Sequence, residues 1–188
     1  MYALGPVFSL LAVALVLTAP APARAELRIS DLAIFLNDMD VTVRVVVLGA
    51  IPPAFQESIH SGIPGHVRFT VELWQYNRFW RDRLLTTKVI ERQLEYNVVT
   101  KEYKVASVKG ETRPAYLTRD LRDAQRVLSE VRSLKLAPAS TLEPTDVFYI
   151  RTLAETALRG DNSFVTRMAG TAEQTVRQSD YRTIMRGE

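Results

Sequence analysis

Residues 66–76, HVRFTVELWQY, alternate without a break: Val67, Phe69, Val71 and Leu73 fall on one side, and Arg68, Thr70, Glu72, Trp74 and Tyr76 on the other. A helix would scatter the four apolar residues around its circumference, whereas a period of two gathers them on one face of a strand. That face needs an apolar cover. A second run, VTVRVVVLG from Val41 to Gly49, repeats the pattern, with Val41, Val43, Val45 and Val47 together and Thr42 and Arg44 opposite them. Two one-sided strands of this kind predict packed sheets.

The remaining segments are arranged around these two. Residues 28–48 read as a β-hairpin turning at Asn37-Asp38. After Pro52-Pro53, Phe55 and Ile59 lie four apart and Gly62 follows, which predicts a short helix. Two long strands are predicted from about Arg83 to Tyr96 and from Glu102 to Val108, joined around Val99-Thr100-Lys101. In the first of them Lys88 and Arg92 interrupt the apolar set Leu84, Ile90, Leu94 and Tyr96, the mark of an edge or partly exposed strand. RPAYL adds a short strand near Tyr116. A helix of about four turns is predicted from an N-cap at Thr118 through Leu134, with Leu121, Ala124, Leu128 and Val131 as its apolar stripe. A loop, APASTLEPTD, leads to a last strand from Val147. With no alternation of strand and helix, the fold class is mainly β, at the margin of α+β: one antiparallel β-sandwich-like domain over 26–158 with two helices, one short and one of about four turns. The tail 159–188 is polar, and the sequence predicts it to be partly disordered or helical.

The ends and the composition bound the compartment. Residues 1–25 carry an apolar run from Val7 to Leu17, broken only by Ser9, then a Pro/Ala segment closing on Ala23-Arg24-Ala25. This is the layout of a secretory signal cleaved before Glu26. The run is shorter than the ~20 residues of a membrane span, and no later segment is long and apolar enough to be one. An exported protein is therefore expected, periplasmic or secreted, without an integral membrane segment once the signal is cleaved. The chain has no cysteine, which excludes disulfides, thiol catalysis and lipid attachment at Cys. Its formal net charge of +3 loses one unit with Arg24, and both signs are interspersed. That balance excludes a nucleic-acid footprint and does not favour a membrane-surface role.

Few residues carry chemistry. His60 and His66 are six apart with Gly62, Pro64 and Gly65 between them, a spacing that fits no helical or tight-loop metal site. His66, at a strand start, is expected to be exposed. Asp38 and Asp40 read as turn residues, and Asp120 and Asp123 as a helix start; neither pair has the further ligands of a calcium loop. No nucleophile elbow, phosphate loop or S-x-x-K is present. Arg159-Gly160-Asp161 is a three-residue coincidence with an adhesion motif. No catalytic residue, metal ligand or cofactor is assigned, and the chain is expected not to be an enzyme. What remains is WQYNRFWRDR, residues 74–83, with both tryptophans of the chain. Trp74, Tyr76, Arg78, Phe79, Trp80 and Arg81 are the candidate contact surface, through stacking and cation–π contacts. The competing reading is a satellite cluster of aromatics and arginine stems at a bend.

The short-helix run with Ile59, Gly62 and Pro64, the Trp-rich turn from Trp74 to Trp80, and Leu142-Glu143-Pro144 before the last strand together resemble the bacterial domain-of-unknown-function family 4390. The resemblance covers about Leu32 to Leu158 and ends where the polar tail begins. It implies an exported protein of a Gram-negative bacterium with no assigned activity, and an envelope partner linked to a sensor histidine kinase. The function expected is that of a non-enzymatic exported domain binding another cell-envelope component, a protein first. The alternative is a periplasmic carboxylate hydrolase or carbohydrate-binding protein with Trp74 or Trp80 as a stacking platform.

Overall fold

The structure is a computed structural model that describes residues 26–36, 39–159 and 164–183. The signal segment 1–25, the Asn37-Asp38 turn and most of the Arg159-Gly160-Asp161 motif lie outside them. The chain runs β1 (Arg28–Leu36), β2 (Asp40–Leu48), α1 (Pro53–His60), β3 (Gly65–Tyr76), β4 (Arg83–Asn97), β5 (Glu102–Lys109), β6 (Tyr116–Thr118), α2 (Leu121–Ser129), β7 (Glu130–Pro138), a 3-10 turn (Ala139–Thr141), β8 (Val147–Leu158), α3 (Phe164–Met168), β9 (Ala172–Gln178) and β10 (Arg182–Thr183). All described pairings are antiparallel. A small sheet has the order β1-β2-β7, and a large one the order β10-β8-β3-β4-β5-β6, with β9 also on β8. The protein is thus a mainly β, sandwich-like domain, as the two alternating runs predict.

Those runs supply the middle of the core. Val41, Val43, Val45 and Val47 of β2, and Val67, Phe69, Val71 and Leu73 of β3, are all within 2 % of complete burial. At ~25 cal/mol per Å² of apolar surface, these facing rows are the main source of stability. Helix α1 adds Phe55 and Ile59 and ends where Gly62 takes φ +92°, a conformation open to a residue without Cβ. Helix α2 adds Ala124 and Leu128.

Four features depart from the sequence reading. Helix α2 is capped by Asp120, whose side chain accepts from Arg122 N, with Thr118 Oγ1 accepting in turn from Asp120 N. It ends at Ser129 after about two and a half turns, not four, because Glu130–Pro138 is drawn into β7 beside β2. Val131 is buried opposite Val45, so it belongs to a strand face although its spacing continues the helical stripe. Strand β4 is no edge along its second half: β3 lies on one side, and β5 on the other from Glu91 onward. Arg92 accordingly points inward, 1 % exposed, with its Nε and Nη2 on Glu111 at 2.9 and 2.6 Å and its Nη1 on the carbonyls of Val127 and Glu130 at 2.8 and 2.6 Å. A guanidinium there closes the negative end of α2. In the first half of β4, the partners Leu73↔Thr86 and Trp74↔Leu84 leave Leu85 as an extra residue. This bulge turns Leu84 outward and sends Leu85 to the core.

The polar tail is the fourth. Beyond a short α3 it lays β9 along β8 from Arg151 to Ala157, and β10 against Val147 and Phe148. Strand β9 also reaches the small sheet: Leu27 N–H donates to Glu173 Oε2 at 3.3 Å, and Arg177 Nη1 donates to the carbonyls of Ile29 and Ser30 at 3.1 and 2.8 Å. The described core begins at Leu27, so a chain starting at Glu26 carries all of it.

Candidate functional site

The loop between β3 and β4 begins at Asn77, whose Oδ1 accepts from the backbone N–H of Phe79 (3.0 Å) and of Trp80 (3.2 Å). That is an Asx-type turn, the local chemistry that lets asparagine fix a tight bend. Asp82 closes the loop by accepting from Asn77 N at 3.0 Å through one oxygen and from the Tyr149 hydroxyl at 2.9 Å through the other. The only carboxylate of the loop is thereby turned toward the sheet.

The six candidate residues divide into two groups. Trp74 stacks with Tyr149, its direct partner on β8, at 6.3 Å between centroids and 5° between planes, and its indole N–H donates to Glu72 at 2.9 Å. Tyr149 meets Tyr181 edge-on at 5.4 Å, and Tyr181 in turn lies 5.0 Å from Tyr76. Trp74 and Tyr76 therefore belong to an aromatic cluster on the outer face of the large sheet. Phe79 and Trp80 do not join it. They stand 88 % and 81 % exposed at the loop tip, flanked by exposed Arg78 and Arg81, with the Arg78 guanidinium 5.8 Å from the centre of the Phe79 ring. Neither half of the competing reading covers the whole stretch: the strand half is a satellite cluster, while the tip covers nothing.

Tyr149, Tyr181 and Asp82 complete the surroundings and went unmarked in the sequence. Tyr149 could have been found, since it shares a strand with Phe148 and Ile150 on the opposite face. Tyr181 sits in the polar tail, where no pattern announces it.

Burial first, then the hydrogen bond to Asp82 and that carboxylate's charge, push the Tyr149 phenol from 10.0 up to about 12. The protonated phenol is the form the fold favours, so its contribution is complete below pH 10 and is lost as pH rises from 10 to about 12. Ultraviolet titration should show the phenolate signal near 12 missing from Tyr149→Phe. The variant should also lose less stability than the parent across that window. Equal alkaline losses in the two proteins would mean that the Tyr149–Asp82 bond does not form.

The other chemistry-bearing residues lie apart. His60 Nε2 is 2.6 Å from the Tyr103 hydroxyl. His66 is not exposed as expected: on the outer face of the large sheet, which it shares with Arg68, its side chain is only 16 % exposed and lies 3.6 Å from the Glu91 carboxylate of β4. Burial, the largest influence, holds its imidazole below 6.5. Asp120 is a helix cap, Asp123 accepts from the Tyr116 hydroxyl and from Arg126, and Asp40 pairs with Lys135 at 2.6 Å. Among the described residues no cluster of three or more His, Cys, Asp or Glu could hold a metal, and no helix is long and apolar enough to cross a membrane.

A family model described as a domain of unknown function, DUF4390, matches residues 24–159. No curated protein and no solved structure matches the chain.

Proposed function

The chain belongs to the DUF4390 domain family, and on that premise we propose that it is an exported, non-enzymatic domain that binds another cell-envelope component through the tip of the β3–β4 loop. The observation that carries this reading is the exposure of Phe79 and Trp80 on a loop that Asn77 and Asp82 hold in one shape. Leaving two large aromatic rings in water forgoes the ~1.5–3 kcal/mol that burying such a side chain provides, and a preorganised tip loses little entropy on binding. Loops carried on a rigid sheet are a common place for recognition residues. The carboxylate-hydrolase alternative is less well supported, because the acids nearest the tryptophans, Glu72 and Asp82, are engaged by Trp74, Asn77 and Tyr149. The carbohydrate alternative loses Trp74, whose ring is stacked on Tyr149, and rests on the exposed Trp80 indole alone.

Crosslinking in intact cells from a photoreactive residue at position 79 or 80 tests the reading. Discrete adducts at either position, absent from a control residue at exposed Thr87, support it; none at either position overturns it. Replacing both Phe79 and Trp80 with Ser should change stability by no more than about 0.5 kcal/mol, as is usual for surface positions, while removing the partner. A fall of many degrees in melting temperature would make the tip structural.

A further inference from the structure

Taking the tip as the contact surface, we propose that its target is an anionic membrane surface: Phe79 and Trp80 enter the interfacial zone while Arg78, Arg81 and Arg83 meet headgroup phosphates. The small net charge of the whole chain pointed away from such a role, but local geometry decides. Within Asn77–Arg83 there are three arginines and one acid. Asp82 is directed inward with both oxygens engaged. Among the described residues, no carboxylate pairs with Arg78, Arg81 or Arg83. The tip therefore presents a local excess of positive charge that only an anionic surface complements, and the planar guanidinium fork suits phosphate.

The apolar residues around it are arranged in the same sense. Leu36 and Val41, which flank the β1–β2 connection, line one apolar cleft with Leu73, Tyr149 and Arg182, so the ends of both hairpins lie at the same end of the sandwich. Phe35 and Met39 of the first hairpin are 53 % and 76 % exposed, and Phe79 and Trp80 of the second 88 % and 81 %, with exposed Tyr76 and Leu84 at the strand ends that carry the second loop. A loop tip with two exposed rings and an arginine on either side of them in the chain suits a deformable interface, where aromatic side chains sit at headgroup level.

The test uses the chain from Glu26 to Glu188 with two kinds of vesicle: phosphatidylethanolamine with phosphatidylglycerol, and phosphatidylcholine alone. Cosedimentation is expected with the anionic vesicles only, weakening with added salt, and Trp80 should become shielded from an aqueous quencher. Each arginine changed to alanine should weaken binding roughly fivefold, and Phe79→Ser/Trp80→Ser should abolish cosedimentation. Equal binding to the two vesicles, or anionic binding that survives removal of all three arginines, overturns the proposal. No vesicle binding, together with protein adducts from positions 79 or 80 in cells, overturns the lipid target and keeps the contact reading, the adduct being a foreign protein or a second copy of this chain. No binding and no adducts sink both.

Discussion

Replacing Arg92 with alanine is expected to cost about 3–5 kcal/mol of folding stability, the range for breaking a buried ion pair from one side. The guanidinium is 1 % exposed and touches three separate parts of the chain: Glu111 after β5, the carbonyl of Val127 in the last turn of α2, and that of Glu130 where β7 begins. Alanine would leave the Glu111 carboxylate, among the described residues, with only Arg113, 4.0 Å away, and the carbonyls of Val127 and Glu130 without the Arg92 donor. Lysine should rescue little, since one ammonium cannot serve the carboxylate in two-pronged fashion and reach the carbonyls as well. Denaturant unfolding checks this. A loss no larger than that of Arg68→Ala would show that the guanidinium is not enclosed.

Phe69→Ala should cost a similar ~3–5 kcal/mol for a different reason, the lost transfer of a ring from water and the cavity left behind. Phe69 is completely buried, with Ala154 and Ile90 as its strand neighbours on either side. For a protein of this size each kcal/mol moves the melting temperature by roughly 2–4 °C, so the shift should be plain in a thermal scan. Arg68, next to it in sequence, faces the other way and pairs with Glu91 at 3.1 Å while its side chain stays 43 % exposed. Its replacement by alanine should cost no more than about 1 kcal/mol. Equal losses at 68 and 69 would contradict the assigned faces.

The parts of the fold legible in the sequence are those whose signal is local. Val67 to Leu73 announce their strand because the alternating face is complete within the segment, and Phe55 with Ile59 announce α1 in the same way. Val131 does not, since its spacing from Leu128 suits a helix and only its distant partner Val45 makes it a strand residue. Arg92 misleads for the same reason: a charge in an apolar row reads as exposure until Glu111 and two helix-end carbonyls are placed around it. Strand β9, AEQTVRQ, is polar because it covers an edge more than a core, so hydropathy passes over it. At the candidate site the sequence picks out the Trp-rich stretch but cannot separate Trp74, stacked on Tyr149, from Trp80, whose ring stands 81 % exposed.

The ties from β9 to the first strand bear on the order of folding. The hairpins β1-β2, β3-β4 and β4-β5 join neighbours in the chain and can form on the microsecond scale of isolated hairpins. The bond from Leu27 to Glu173 spans 146 residues, and those from Arg177 to Ile29 and Ser30 span 148 and 147. Loops of that length close late and mark slow-folding topologies. A nascent chain can pair β1 with β2 early, but the bonds of Leu27, Ile29 and Ser30 to β9 must wait until that late strand has emerged, so the first few residues of the domain are among the last to complete their contacts.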